Sequence, residues 1–131
     1  MIGLDTNVLL RYLIKDDEDQ GERAARVIRQ ASVRGEPVFI GPVVLCEMVW
    51  VLESRYGFGK PEILRTLTAI LEADGFDVAN RNVLRAAVDD YRSHKSDFAD
   101  CLIGRTNEAA GCRDTVTFDR RLKPLDTFRV L

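Results

Sequence analysis

Five carboxylates, Asp5, Glu47, Asp97, Asp100 and Asp119, stand where a parallel sheet would gather side chains at one end. Asp5 ends a short apolar run, Met1 to Leu4, and Asp119 ends another, Thr115 to Phe118. Glu47 falls a little over one turn into a helical stretch that follows a third run, Val38 to Ile40. Asp97 and Asp100 lie three apart at the start of a further helix, so they share a face beside its positive end. In open α/β sheets, ligands bind beyond the carboxyl ends of the strands, where strand order switches. Acids spread over the whole chain would therefore converge there. Clustered like charges need a positive partner, and hard divalent cations with oxygen ligands are the usual one. The pattern reads as a Mg²⁺ or Mn²⁺ site ligated by Asp5, Glu47, Asp97, Asp100 and Asp119. Thr6 and Asn7 can fix the rotamer of Asp5 or hold a metal-bound water. Thr117 shares a strand face with Asp119 and can orient it.

Each acid also has a plainer role open to it. Asp5 and Asp119 could cap the helices that follow them. Glu47 could pair with a buried arginine, and Asp97 and Asp100 could simply complement a helix dipole. Arg120, Arg121 and Lys123, directly after Asp119, could grip phosphates or form a solvated helix start. Arg105 could reach the rim of the site, and Arg11 and Lys15 carry the same ambiguity. The Asp16 to Asp19 run reads as a solvated helix start. His94, the sole histidine, lies in a polar stretch and is expected to face solvent. No serine or cysteine nucleophile with a histidine partner is evident.

The elements that must position these residues follow from periodicity. Short apolar strands are expected at Met1 to Leu4, Val38 to Ile40, Phe76 to Val78, Thr115 to Phe118 and Phe128 to Val130. Helices are expected over residues 7–14, 16–33, 42–55, 61–73, 81–93 and 97–110, with Ser96 as the N-cap of the last and Gly111 as its end. The stretch from Val43 to Leu52 is apolar nearly all round, which predicts burial in the core or against another chain, with Met48 and Trp50 read as core. Strands alternating with helices predict an α/β fold, a three-layer α/β/α sandwich around a central, mainly parallel, short-stranded sheet. Residues 1–131 are expected to form a single domain.

Composition narrows the setting. Apolar residues make up 46% and charged residues 31%, as in ordinary globular proteins, and the net charge is −2. That argues against a protein that coats nucleic acid non-specifically, though not against a nuclease whose acids are neutralised by metal. No apolar run approaches a membrane span, and the N-terminus has no secretory pattern. The three cysteines are odd in number and scattered, which predicts reduced thiols and a cytoplasmic location.

Ile2-Gly3-Leu4-Asp5-Thr6-Asn7-Val8-Leu9, Val44-Leu45-Cys46-Glu47, Asp97-Phe98-Ala99-Asp100-Cys101-Leu102-Ile103 and Val116-Thr117-Phe118-Asp119 together resemble a PIN domain, in particular the VapC-type toxins of toxin–antitoxin pairs. The resemblance spans essentially the whole chain. It implies a Mg²⁺- or Mn²⁺-dependent endoribonuclease that hydrolyses phosphodiester bonds, with RNA as substrate (tRNA among the candidates) and a small antitoxin as inhibitor, while the apolar stretch from Val43 to Leu52 makes a homodimer the expected state. The core acids then fall on Asp5, Glu47, Asp100 and Asp119, with Thr6, Asn7 and Thr117 in support. Asp97 matches an acid found in many members but not all, and Cys101 stands where a small alanine is common. Competing readings are a non-toxin PIN nuclease of RNA processing and a catalytically dead PIN scaffold. A phosphatase of the haloacid dehalogenase kind also places an aspartate after the first strand, but it wants a second acid where Asn7 stands.

Overall fold

The computed structural model describes residues 1–131 and is mixed α/β. In chain order the elements are β1 (Ile2–Gly3), α1 (Thr6–Leu13), α2 (Glu18–Val33), β2 (Val38–Ile40), α3 (Pro42–Ser54), α4 (Lys60–Glu72), β3 (Phe76–Val78), α5 (Arg81–Ser93), α6 (Phe98–Ala109), β4 (Thr115–Thr117) and β5 (Phe128–Val130). A single 3₁₀ turn, Arg120–Leu122, lies between the last two strands. Every strand pairing is parallel, as the helical crossovers require. The ladder is in two parts: β2 lies between β1 and β3, while β4 pairs with β5 alone. Helix α6, packed on α3, α5 and β4, ties the second part to the first.

Strand β2 is covered on both faces. Val38 and Ile40 are buried and Phe39, on the opposite face, is half-buried. Around it Leu9, Leu45, Met48, Leu52, Ile63, Leu67, Ile70 and Phe98 form the centre of one continuous core. Pro42 and Pro61 sit in the first turns of α3 and α4, where the missing N–H costs nothing. At the end of α6, Gly111 adopts φ +97°. The Cys112 and Gly111 amides then donate to the Asn107 and Glu108 carbonyls, a Schellman closure.

Three expectations need correction. Helix α3 is not buried all round, because Val43 and Trp50 are largely exposed while Met48 is fully buried. An apolar sequence marks the face that packs, and residues on the opposite face stay wet whatever their hydropathy. Ser96 does not cap α6; Asp97 holds that position and Ser96 is buried behind it. His94 is half-buried, with Nδ1 3.0 Å from the Asp90 carbonyl oxygen.

The loop that carries Asp97 is fixed from both sides. Phe98 is buried edge-to-face on Tyr91, with ring centroids 6.0 Å apart. The Lys60 ammonium lies 4.5 Å from the centre of the Tyr91 ring and donates to the carbonyl oxygens of Tyr91 and His94, at 2.7 and 2.6 Å. Burial pushes the Tyr91 phenol up to about 12. Further along, Arg105 of α6 grips Asp90 of α5 with two hydrogen bonds of 2.7 and 2.9 Å. Arg105 is therefore a structural clamp and not a rim residue of the acidic site.

Gly104 marks the closest approach of α6 to β5. A Cβ there would collide with the Thr127 hydroxyl and stand 2.8 Å from the Phe128 ring. Gly104→Ala should cost about 1–3 kcal/mol through overpacking, read as a lower urea midpoint with an unchanged slope.

Candidate active site

Asp5 follows β1 and occupies the N-cap position of α1, yet its side chain makes no capping hydrogen bond. Asp97 occupies the same position on α6, again without a capping bond. Both backbones are extended, as a cap requires, so the two carboxylates are aimed by helix starts that they do not satisfy. Glu47 is exposed on α3 and pairs with no arginine; the buried ion pair that could have explained it is absent. Asp119 differs. Its carboxylate accepts from the Arg121 amide at 2.9 Å and from the Arg121 guanidinium in a two-point contact, the closer arm at 2.8 Å. The capping role open to Asp119 from the sequence is therefore real. Thr117 supports that turn through its hydroxyl, which accepts from the Asp119 amide at 3.0 Å.

No three carboxylates stand close enough together to share one ion. The expected five-acid cluster divides instead into two groups. Asp5 and Glu47 line one depression of about 300 Å³, together with Thr6, Asn7, Arg11, Trp50, Arg55 and Tyr56. Asp97, Asp100 and Asp119 feel one another electrostatically across the start of α6. Burial, then repulsion from Asp97 and Asp119, raises the Asp100 carboxyl above its ordinary range, and Arg121 relieves this only in part. The hydrogen bonds from Arg121 hold Asp119 below its ordinary range.

Among the basic residues, Arg121 is committed to Asp119, whereas Arg120 and Lys123 are exposed and unpaired. Arg11 is held by Gln20 at 2.7 Å and by Asp16 at 3.1 Å, and Asp16 also accepts from the Tyr56 hydroxyl at 2.7 Å. Lys15 is exposed. Within the Asp16 to Asp19 run, Asp17 caps α2 by accepting from the Gln20 amide, so that run is structural. Sequence reasoning missed Glu53, whose carboxyl is raised by burial and by the charge of Asp97, and Arg55, which shares the depression with Asp5. Helical spacing carries the signal for Arg55, since Val51 lies four residues before it and Glu47 four before that, and all three line the same depression.

The PIN domain family profile matches residues 2–127. The chain belongs to the PIN domain family. This PIN domain is also similar to the VapC ribonuclease of Aquifex aeolicus (strain VF5), 31% identical over 122 residues that cover 93% of this chain and 90% of the relative. A match of that extent leaves no room for the haloacid dehalogenase reading.

The donors suit a hard divalent cation. All are carboxylate oxygens, with no competing thiolate or imidazole in the set. The Thr6 hydroxyl, beside Asp5, is buried with no hydrogen-bond partner, an unusual arrangement for a folded protein and a fitting one beside an ion's water shell. Of the residues expected to act, only Asp119 has its carboxylate occupied, and that by a flexible exposed arginine that an ion could displace.

The opposite shifts of Asp100 and Asp119 predict opposite stability effects. A carboxyl raised in the folded state binds more protons there than in the unfolded chain, so stability falls as pH rises through its folded value. Removing that charge should help near neutral pH. A carboxyl lowered in the folded state contributes stability above its unfolded value and loses it as pH falls through the folded one. In chelator at pH 7, Asp100→Asn should therefore melt at or above wild type and Asp119→Asn slightly below it. Excess Mn²⁺, at about 100 times its dissociation constant, should stabilise wild type by about 2.7 kcal/mol and either variant far less. Destabilised Asp100→Asn with an unaltered Mn²⁺ response would remove Asp100 from the metal site.

Proposed function

We propose that this PIN domain is a metal-dependent endoribonuclease that hydrolyses RNA phosphodiester bonds, acts as the toxin of a type II toxin–antitoxin pair and uses residues 1–131 as one nuclease unit. The observation that carries the reading is the uncommitted state of its acids. Asp5, Glu47, Asp97 and Asp100 make no hydrogen bond or ion pair within the protein, at positions where capping or pairing was available. Folding leaves four carboxylates without a protein partner, and burial with repulsion from Asp97 and Asp119 makes the charge of Asp100 costly unless a cation offsets it.

Asp5 and Glu47 of one group and Asp100 and Asp119 of the other would have to draw together to hold Mg²⁺ or Mn²⁺, with Asp97 as an outer contributor. Such an ion, when bound, supplies a water of lowered pKa and neutralises charge developing on the phosphate. The chain's own groups do the rest. The unpartnered Thr6 hydroxyl and the Asn7 amide orient Asp5 and a neighbouring water. One of the carboxylates beside the ion can accept the proton of the attacking water. Arg120 and Lys123 neutralise RNA phosphates beside Asp119, and Arg121 joins them when an ion takes its place.

The partners follow from the same reading: an RNA substrate, tRNA among the candidates, a small antitoxin and a second copy of the chain, in the cytoplasm. No helix is long and apolar enough to cross a membrane. Helix α4 offers the partners little, since Ile63, Leu67, Ile70 and Leu71 are already buried; α3 exposes Val43 and Trp50. Purified protein should cleave RNA with Mn²⁺ and not with chelator, and its expression should slow growth until the neighbouring antitoxin is co-expressed. Intact RNA and unimpaired growth would leave a catalytically dead scaffold.

A further inference from the structure

Trp50 is the only tryptophan of the chain and is 67% exposed, one turn along α3 from Glu47. An indole left in water forgoes the large apolar burial for which the residue is suited. It lines the same depression as Asp5 and Glu47, so whatever it contacts lies beside the acids. The far wall is rigid and already spoken for, because Arg11, Gln20, Asp16 and Tyr56 hydrogen-bond one another. The near wall is not. Arg55, which caps the end of α3, makes a backbone bond to Val51 and offers its guanidinium to no carboxylate. An open aromatic face with a free arginine five residues on, in a hollow of about 300 Å³, suits one nucleotide: base on the indole, phosphate on the guanidinium.

We infer that Trp50 and Arg55 form a nucleotide subsite for single-stranded RNA adjoining the Asp5–Glu47 side of the site, in which a base next to the scissile bond stacks on Trp50. Stacking tolerates every base, so the subsite selects an unpaired nucleotide rather than a sequence. A duplex cannot offer such a base without unstacking it, which directs cleavage to loops and ends.

The inference rests on the ribonuclease reading, and the test separates the two. Because Trp50 is the sole tryptophan, its fluorescence reports this subsite alone. In an Asp100→Asn background, which keeps RNA intact, a single-stranded RNA of about eight nucleotides should quench it saturably. Trp50→Ala in that background should weaken binding, followed by anisotropy of labelled RNA, by roughly 5- to 150-fold, and Trp50→Phe should recover most of the loss. Arg55→Gln should weaken binding and lower the salt dependence by about one phosphate contact. Unchanged affinity in Trp50→Ala, while wild type still cleaves RNA with Mn²⁺, overturns the subsite and leaves the nuclease standing. Emission that shifts to the blue with protein concentration alone also overturns it, by placing Trp50 between two copies of the chain. Neither quenching nor cleavage by wild type defeats both readings together.

Discussion

Asp5→Asn should lower Mn²⁺-dependent RNA cleavage by more than about a hundredfold while the circular dichroism spectrum stays native. Loss of an outer-shell partner of a metal ligand costs about 10- to 100-fold, and loss of the ligand itself should exceed that. Glu47→Gln, Asp100→Asn and Asp119→Asn belong with it; Asp97→Asn should do less. Thr6→Val provides the sharpest contrast. Its hydroxyl is buried and unpartnered, so the isosteric valine should raise stability by about 1 kcal/mol. The same change should cost about 10- to 100-fold in cleavage if that hydroxyl orients water or Asp5. Stability and activity moving in opposite directions is not what a packing residue produces. Wild-type cleavage by Asp5→Asn would discard the site altogether.

Arg105→Ala should be among the most destabilising substitutions remote from the acids. Asp90 is 8% exposed and its two oxygens are both held by Arg105, so truncation strands a buried charge. Breaking one partner of such a pair costs about 3–5 kcal/mol, which for a chain of this size lowers the melting temperature by about 10 °C or more. The exposed arms to Glu108 and Asp126 add little. Joint replacement, Asp90→Leu with Arg105→Met, should recover most of the loss, because a buried pair is worth little more than well-packed apolar groups. If the single variant melted like wild type, α5 and α6 would not be clamped by this contact.

The alternating pattern that made the α/β fold legible was carried by residues whose environment is set locally. Leu9, Leu67 and Ile70 recur at helical spacing, and Val38 and Ile40 alternate, so periodicity alone places them inward. The places of Asp5, Asp97 and Asp119 at helix starts were legible because each sits where a strand or loop gives way to a helix, a boundary that composition marks clearly. Trp50 was misread because hydropathy ranks side chains and not faces. On a helix apolar throughout, only tertiary packing decides which stripe is covered. The Asp90–Arg105 clamp and the division of the acids into two groups were hidden for a related reason. Both depend on how α5 and α6 lie together, which no single window of sequence encodes.

The acids are drawn from opposite extremes of the chain. Asp5 is made before all the others and Asp119 after them, with Glu47, Asp97 and Asp100 between. β1 finds its parallel neighbour only after two helices have been made, and β4 pairs only when β5 exists. At ~5–20 residues per second, roughly ten seconds pass on the ribosome between the first acid and the last. If cleavage needs Asp119, the nascent chain cannot cut the RNA around it during that interval, including the messenger and transfer RNAs that are building it. On the same condition, a fragment severed before Asp119 would be inactive.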